Sequence, residues 1–336
     1  MTTHIEERPG EGSEGPRRLY VDPGLPDRIF RGVARSGGGF VLAVMLLVGG
    51  FLLYRAWQAL SRAGWSFLTT ETWEPDAGRF GIAAVLVGTV LIALVAILVA
   101  VPLAVGGALY ISEYAPPRLR QTLIGVVDLM AAVPSVVYGL WGLFFFQNQV
   151  LGTARWISTY FGWIPFFAVD GADPRDPLAN ATVYASSTLI AGIVVALMVA
   201  PIVCSVMREV FSQAPVGERE GSYALGATRW GMIRSVVLPF GKGGMIGGTM
   251  LGLGRALGET IGVYLVISPI FDIQWHVLQS GTSSISSLIA LRYGEASEFG
   301  MSALMAAGLA LFLMTLVVNF AASSIVARSR SGAASE

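Results

Sequence analysis

Charge is scarce in this sequence, and its placement says more than its amount. Only 13% of the 336 residues are Asp, Glu, Lys or Arg, while 54% are hydrophobic. A soluble fold of this length needs far more polar surface, so the composition describes an integral membrane protein. The 22 basic and 22 acidic residues cancel, which removes the basic field that binding to nucleic acid requires. The single cysteine, Cys204, lies in an apolar run and forms no internal disulfide; it reads as a small packing residue. Histidine is limited to His4, in a polar tail, and His276, in a loop without ligand-like neighbours, so no metal site is expected. The phosphate-cradling Gly-x-x-x-x-Gly-Lys-Ser/Thr loop is missing: Gly241-Lys242 is followed by Gly243, and Val236 stands where the first glycine belongs. Neither a nucleophile elbow nor a His-Glu-x-x-His pattern occurs, so hydrolase chemistry has no support and no cofactor is expected in this chain.

What the sequence has in quantity is long runs without charge, at 36–54, 80–112, 129–154, 177–207 and 299–327. Each holds a helix of about 20 residues, the thickness of a bilayer core. A sixth run, 243–271, is as long but carries Arg255 and Glu259. The expected fold is therefore all-α, with six transmembrane helices at about 39–57, 80–111, 122–146, 184–207, 243–268 and 299–327. Residues 1–38, rich in Gly, Pro, Glu and Arg, are expected to be a disordered cytoplasmic tail, and 328–336 a short cytoplasmic tail. Placing both termini in the cytoplasm puts fifteen Lys/Arg inside and six outside, with Arg255 in the membrane. The positive-inside rule favours that orientation. Trp65, Phe67 and Trp73 in the first outer connection, and Trp156, Tyr160, Phe161, Trp163, Phe166 and Phe167 in the second, suit the headgroup layer.

The loop 208–242 contains a polar island at 220–239. Glu220 opens a short helix, Gly226 ends it with its permissive backbone, Thr228 caps a second helix and Pro239 stops that one. The product is a bent pair of helices, a knob. On physics alone it is either an amphipathic pair lying on the membrane or a docking element. The offsets of Glu220, Gly226, Leu238 and Pro239 resemble the cytoplasmic loop signature of permease subunits of ABC importers; Gly221 and Ser222 depart from its Ala-Ala, and Val236 from its Ile. In that family the loop docks a helix in a groove on a separate ATPase, which the resemblance implies for this knob. The run from Phe80 to Arg120 is similar to the start of the same family's core domain.

Within the spans, two places combine breaks with polar groups. The third holds Val133-Pro134-Ser135-Val136-Val137-Tyr138-Gly139-Leu140-Trp141-Gly142, where a proline frees a carbonyl and Ser135 and Tyr138 bring hydroxyls to mid-depth. That is compatible with a polar path or with a kinked packing helix. In the fifth, Gly244, Gly248 and Gly252 recur at four-residue intervals, as do Gly254, Gly258 and Gly262, so small-residue ridges mark contact faces. Arg255 and Glu259 stand at i and i+4, with Arg255 roughly 18 Å into the span at 1.5 Å per residue. They either pair with each other, or Arg255 offers its planar fork to an oxyanion while Glu259 orients it.

The runs 134–142 and Arg255-Ala256-Leu257-Gly258-Glu259-Thr260 resemble the PstC-type permeases of phosphate ABC importers, a type I importer family. That resemblance implies a six-helix permease bundle with cytoplasmic coupling helices, in a bacterial plasma membrane. It implies a substrate path through Arg255, Glu259, Thr260, Ser135 and Tyr138, and ATPase coupling through Glu220, Gly226, Leu238 and Pro239. The implied partners are a homologous PstA-like permease, two PstB-like ATPase subunits that bind the ATP, a PstS-like phosphate-binding protein outside, inorganic phosphate and membrane lipid. A permease for another oxyanion such as molybdate or sulfate, a self-sufficient anion channel or carrier, and a membrane scaffold are the other readings.

Overall fold

The computed structural model describes residues 24–176 and 180–331. The elements are α1 (Leu25–Ala63), α2 (Ser66–Thr69), a hairpin of β1 (Trp73–Glu74) and β2 (Arg79–Phe80), and then α3 (Ala83–Leu109). They continue as α4 (Pro117–Ala132), α5 (Ser135–Trp141), α6 (Gln147–Phe161), α7 (Thr188–Ser212), α8 (Val216–Ala224) and α9 (Arg229–Met232). The last are α10 (Leu238–Gly258), α11 (Ile261–Val266), α12 (Ile285–Arg292) and α13 (Glu298–Ser331). Three five-residue π turns interrupt the helical ladders, at Tyr110–Tyr114, Gly142–Phe146 and Ile233–Val237.

Among the described residues five helices are long and apolar enough to cross a membrane, six if α4 and the α5–α6 segment, bent by 87°, are one span. Three expectations need correction. Helix α1 starts at Leu25, so residues 25–38 are helical and not a disordered tail; residues 1–23 lie outside the described residues. The third span is broken, because Pro134 cannot donate and biases Val133 to extended backbone (ψ 129°). The fifth ends at Gly258, ten residues short of 268, with Glu259 extended at ψ 127°.

The chain parts into two units between Gly50 and Phe51. In the first, α1 exposes apolar residues such as Leu46 and Leu47, as a helix facing acyl chains does. In the second, the central contact is α3 on α7. Ala96, Ala100, Ala104 and Ala108 of α3 repeat every four residues and are each 0–1% exposed, forming a flat strip against α7. Gly107 leaves room for Cys204, which is buried as a packing residue. Across α7, the ridge Gly244, Gly248 and Gly252 of α10 receives Val210, Val206 and Val203. That contact face is as the spacing predicts, whereas Gly254, Gly258 and Gly262 do not share a face, since the helix ends between the last two.

A second cluster joins Ala56 and Ala59 of α1, the hairpin and α13. Phe67, Trp73 and Phe299 pack edge-to-face around Phe80, with ring centroids 5.4–6.4 Å apart. Phe67 and Trp73 are thus core residues rather than headgroup anchors; Trp65, 87% exposed, keeps that character. The segment 282–287, in the connection between α11 and α12 and the start of α12, is buried. It enters beside α3 at Gly88, where a Cβ would lie 2.0 Å from the carbonyl oxygen of Ser283.

A side chain at Gly252 would start 2.6 Å from Val203 and 2.8 Å from Val199. Gly252→Val is expected to destabilise the protein by about 1–3 kcal/mol through overpacking, read as a lower melting temperature in detergent than that of Gly247→Val, where no atom lies within 4 Å.

Candidate functional site

The knob is built by α8, α9 and the turn between them. Helix α8 starts at Val216 after Pro215, four residues before the Glu220 expected to open it, so Glu220 is an exposed residue in its second turn. Its end is a Schellman motif: the Gly226 N–H donates to Tyr223 (2.9 Å) and the Ala227 N–H to Ser222 (3.1 Å). Gly226 takes φ +85° with no atom within 4 Å of where a Cβ would be, so its glycine answers to backbone geometry alone. Thr228 accepts from the Gly231 N–H at 3.1 Å, the cap its position predicts. Pro239 does not stop the helix. The π turn Ile233–Val237 widens the ladder just before it, and Arg229–Gly258 runs on as one span-length rod. Leu225 is 91% exposed, with Val216, Tyr223 and Trp230 also uncovered, an apolar face on an otherwise polar element.

At the far end of α10 the expected Arg255–Glu259 face does not form. Glu259 has left the helix: its Oε1 accepts from the Gly262 N–H (3.2 Å), capping α11, and its carbonyl accepts from the Ser286 hydroxyl (2.7 Å). The Thr260 hydroxyl donates to the carbonyl of Gly258 across the same break (3.2 Å). The two breaks meet, because α5 packs on α11 through Gly139 and Gly262, and the carbonyl of Ser135 lies beside Gly262 with Glu259. Tyr138 closes the other break by donating to the Met130 carbonyl at 3.1 Å. Ser135, Tyr138, Glu259 and Thr260 therefore belong to a pair of facing helix breaks.

Arg255 lies apart from them. Its exposed side chain lines a cavity of about 450 Å³ with Ile202, Met250, Leu251, Gly254, Thr315 and Asn319. Among the described residues no carboxylate comes within ion-pairing distance of it. The guanidinium fork and the Asn319 amide are donors suited to an anion, whereas the Thr315 hydroxyl donates its proton to the Phe312 carbonyl (2.8 Å). Sequence reasoning missed Thr315 and Asn319; the signal was there, since Asn319 is the one carboxamide in the run 299–327. It also missed Ser286 and Thr89, which accepts from the Ile285 N–H at 2.9 Å.

Residues 100–331 match the family described as binding-protein-dependent transport system inner membrane component. The phosphate transport system permease protein PstC of Pasteurella multocida is 37% identical over 294 residues, covering 86% of this chain and 88% of that protein. PstC of Mesorhizobium japonicum is 36% identical, covering 92% and 93%. The chain belongs to the PstC-type permeases. Its fold is shared with a bacterial alginate ABC transporter solved with a pentasaccharide-bound periplasmic protein, at TM-score 0.58 and 17% identity over 90% of the permease and 97% of that chain. A second structure, of a bacterial transporter importing alginate, gives 0.54 at 18% identity over 90% and 99%. The permease is a multi-pass membrane protein of the ABC importer class.

Two outcomes follow for the permease. Gly226→Val is expected to cost about 1–2 kcal/mol at the left-handed turn, read as a lower melting temperature in detergent than that of Gly217→Val, made in α8 where no atom lies within 4 Å. Glu259→Ala removes the α11 cap and should lower the melting temperature by the equivalent of about 1 kcal/mol, while Glu259→Gln, still an acceptor for Gly262, should not.

Proposed function

We propose that the chain is the membrane-spanning permease subunit of an ATP-driven phosphate importer, with Arg255 meeting the anion inside the membrane. The observation that carries this is the unpaired guanidinium facing a cavity beside Asn319 and Thr315. A charge at that depth costs about 2.5–3.5 kcal/mol on insertion scales, and a transient tetrahedral oxyanion offsets it with a bidentate match. The names of the PstC relatives favour phosphate among oxyanions.

Around this subunit the reading places a PstA-like second permease, two PstB-like ATPases and a PstS-like phosphate-binding protein, in a bacterial plasma membrane. Both termini are cytoplasmic, which brings Glu220, Gly226, Leu238 and Pro239 to the ATPase side. The chain supplies no ATP site and does not hydrolyse ATP; ATP belongs to the partner subunits. ATP binding draws the ATPases together, the knob moves with its groove, and the continuous Arg229–Gly258 rod carries that motion to Arg255. Glu259 and Ser286 fix the end of the rod, and the breaks at Ser135 and Thr260 let the flanking segments move with it.

Arg255→Ala should abolish phosphate uptake in vesicles while the complex still assembles, and Arg255→Lys should lose most of it, because an ammonium offers no fork. Uptake at the wild-type rate in either variant removes the substrate role. Stronger competition by molybdate or sulfate than by phosphate would reassign the anion, and uptake by the chain alone would replace the importer with a self-sufficient carrier.

A further inference from the structure

The knob is held to the bundle unevenly. Helix α9 and the π turn after it bury Met232, Ile233 and Val237 in the core. Helix α8 buries none of its side chains, so what anchors it must be polar. Its principal anchor is Arg219, which donates to the Glu113 carboxylate (2.8 Å) and to the carbonyls of Phe211 (2.7 Å) and Ala214 (3.1 Å). One guanidinium thus ties α8 to the end of α7 and to the π turn that finishes α3. The pair is sheltered, Glu113 being 4% exposed and Arg219 20%, and the second oxygen of Glu113 has no partner among the described residues. The next residue of that turn, Tyr114, receives a second arginine: Arg229 at the start of α9 stacks 5.3 Å over its ring.

We propose that Arg219 and Glu113, assisted by Arg229 and Tyr114, form a two-point strut through which movement of the knob is delivered to α3. Arg219 ties α8, and Arg229 ties α9, to consecutive residues of one turn, so displacement of either arm of the knob becomes displacement of α3, and through the alanine strip, of α7. The pair resists loosening because either member alone would be a buried charge without compensation. Arg219 and Glu113 are positioning residues, touching neither nucleotide nor anion. The inference rests on the reading of the knob as an ATPase-docking element.

The test uses the assembled complex with its ATPase and second permease in proteoliposomes, supplied with the phosphate-loaded binding protein, and reads phosphate imported per ATP hydrolysed. Arg219→Ala is expected to keep its ATPase but lower that ratio roughly tenfold. Glu113→Ala should lower it as far, the double variant no further, and Arg219→Lys should recover part of the loss. Arg229→Ala, at an exposed position, should lower the ratio by a smaller factor. A wild-type ratio in Arg219→Ala, losses that multiply in the double variant, or loss of the ATPase from the complex would each overturn the strut. Failure of the docking reading is a separate result: wild-type import that needs no ATP.

Discussion

Everything in this molecule that bears on transport depends on how closely α7 can lie against α3 on one side and α10 on the other. In lipid no hydrophobic effect drives two apolar helices together, so their contact rests on dispersion at short range. The alanine strip on α3 and the glycine ridge on α10 provide that range by omission of side chain. Valines of α7 fill the space left on α10, and α7 is the element both neighbours share. Because Arg229–Gly258 is one continuous rod, the same contact fixes the knob at one end and Arg255 at the other.

The second constraint is that backbone polar groups away from water must find partners within the protein. The chain breaks two helices in its interior, and each break is repaired by side chains placed for it. Tyr138 reaches back to Met130; Glu259 caps α11; Ser286 and Thr89 satisfy the groups between. This accounts for the burial of so many hydroxyls in 282–287, where Ser284 and Ser287 also cap α12 reciprocally. Glu259 is committed to this repair, which leaves Arg255 without the intramolecular counter-ion that helical spacing would have supplied.

The sequence was most legible where one physical rule acts alone. Charge-free length marked where the long helices lie but not their breaks, the four-residue glycine interval located the face of α10 against α7, and Gly226 and Thr228 were readable as turn and cap from residue type. It was least legible where a local rule was overridden. Helical periodicity placed Glu259 on the face of Arg255, but an extended backbone at Glu259 ends the helix, and nothing in Leu-Gly-Glu-Thr announces that. Pro239 looked like a stop, yet a π turn accommodates it. Phe67 and Trp73 looked interfacial by composition and are core by tertiary contact with Phe80. The Glu113–Arg219 pair spans 106 residues of sequence and had no local signature.

The π turn Ile233–Val237 has an effect at a distance. Each residue of a regular helix advances the side-chain direction by about 100°, so a turn that takes in one residue more than the ladder requires rotates everything beyond it by about that angle. The compass bearing on which Arg255 leaves α10, into the cavity it lines with Ile202, Thr315 and Asn319, is therefore set well upstream, next to the knob. Any tightening of that turn to regular α-helix would swing the guanidinium around the rod's circumference with no change in the residues near it, as a key turns in a lock whose wards are elsewhere.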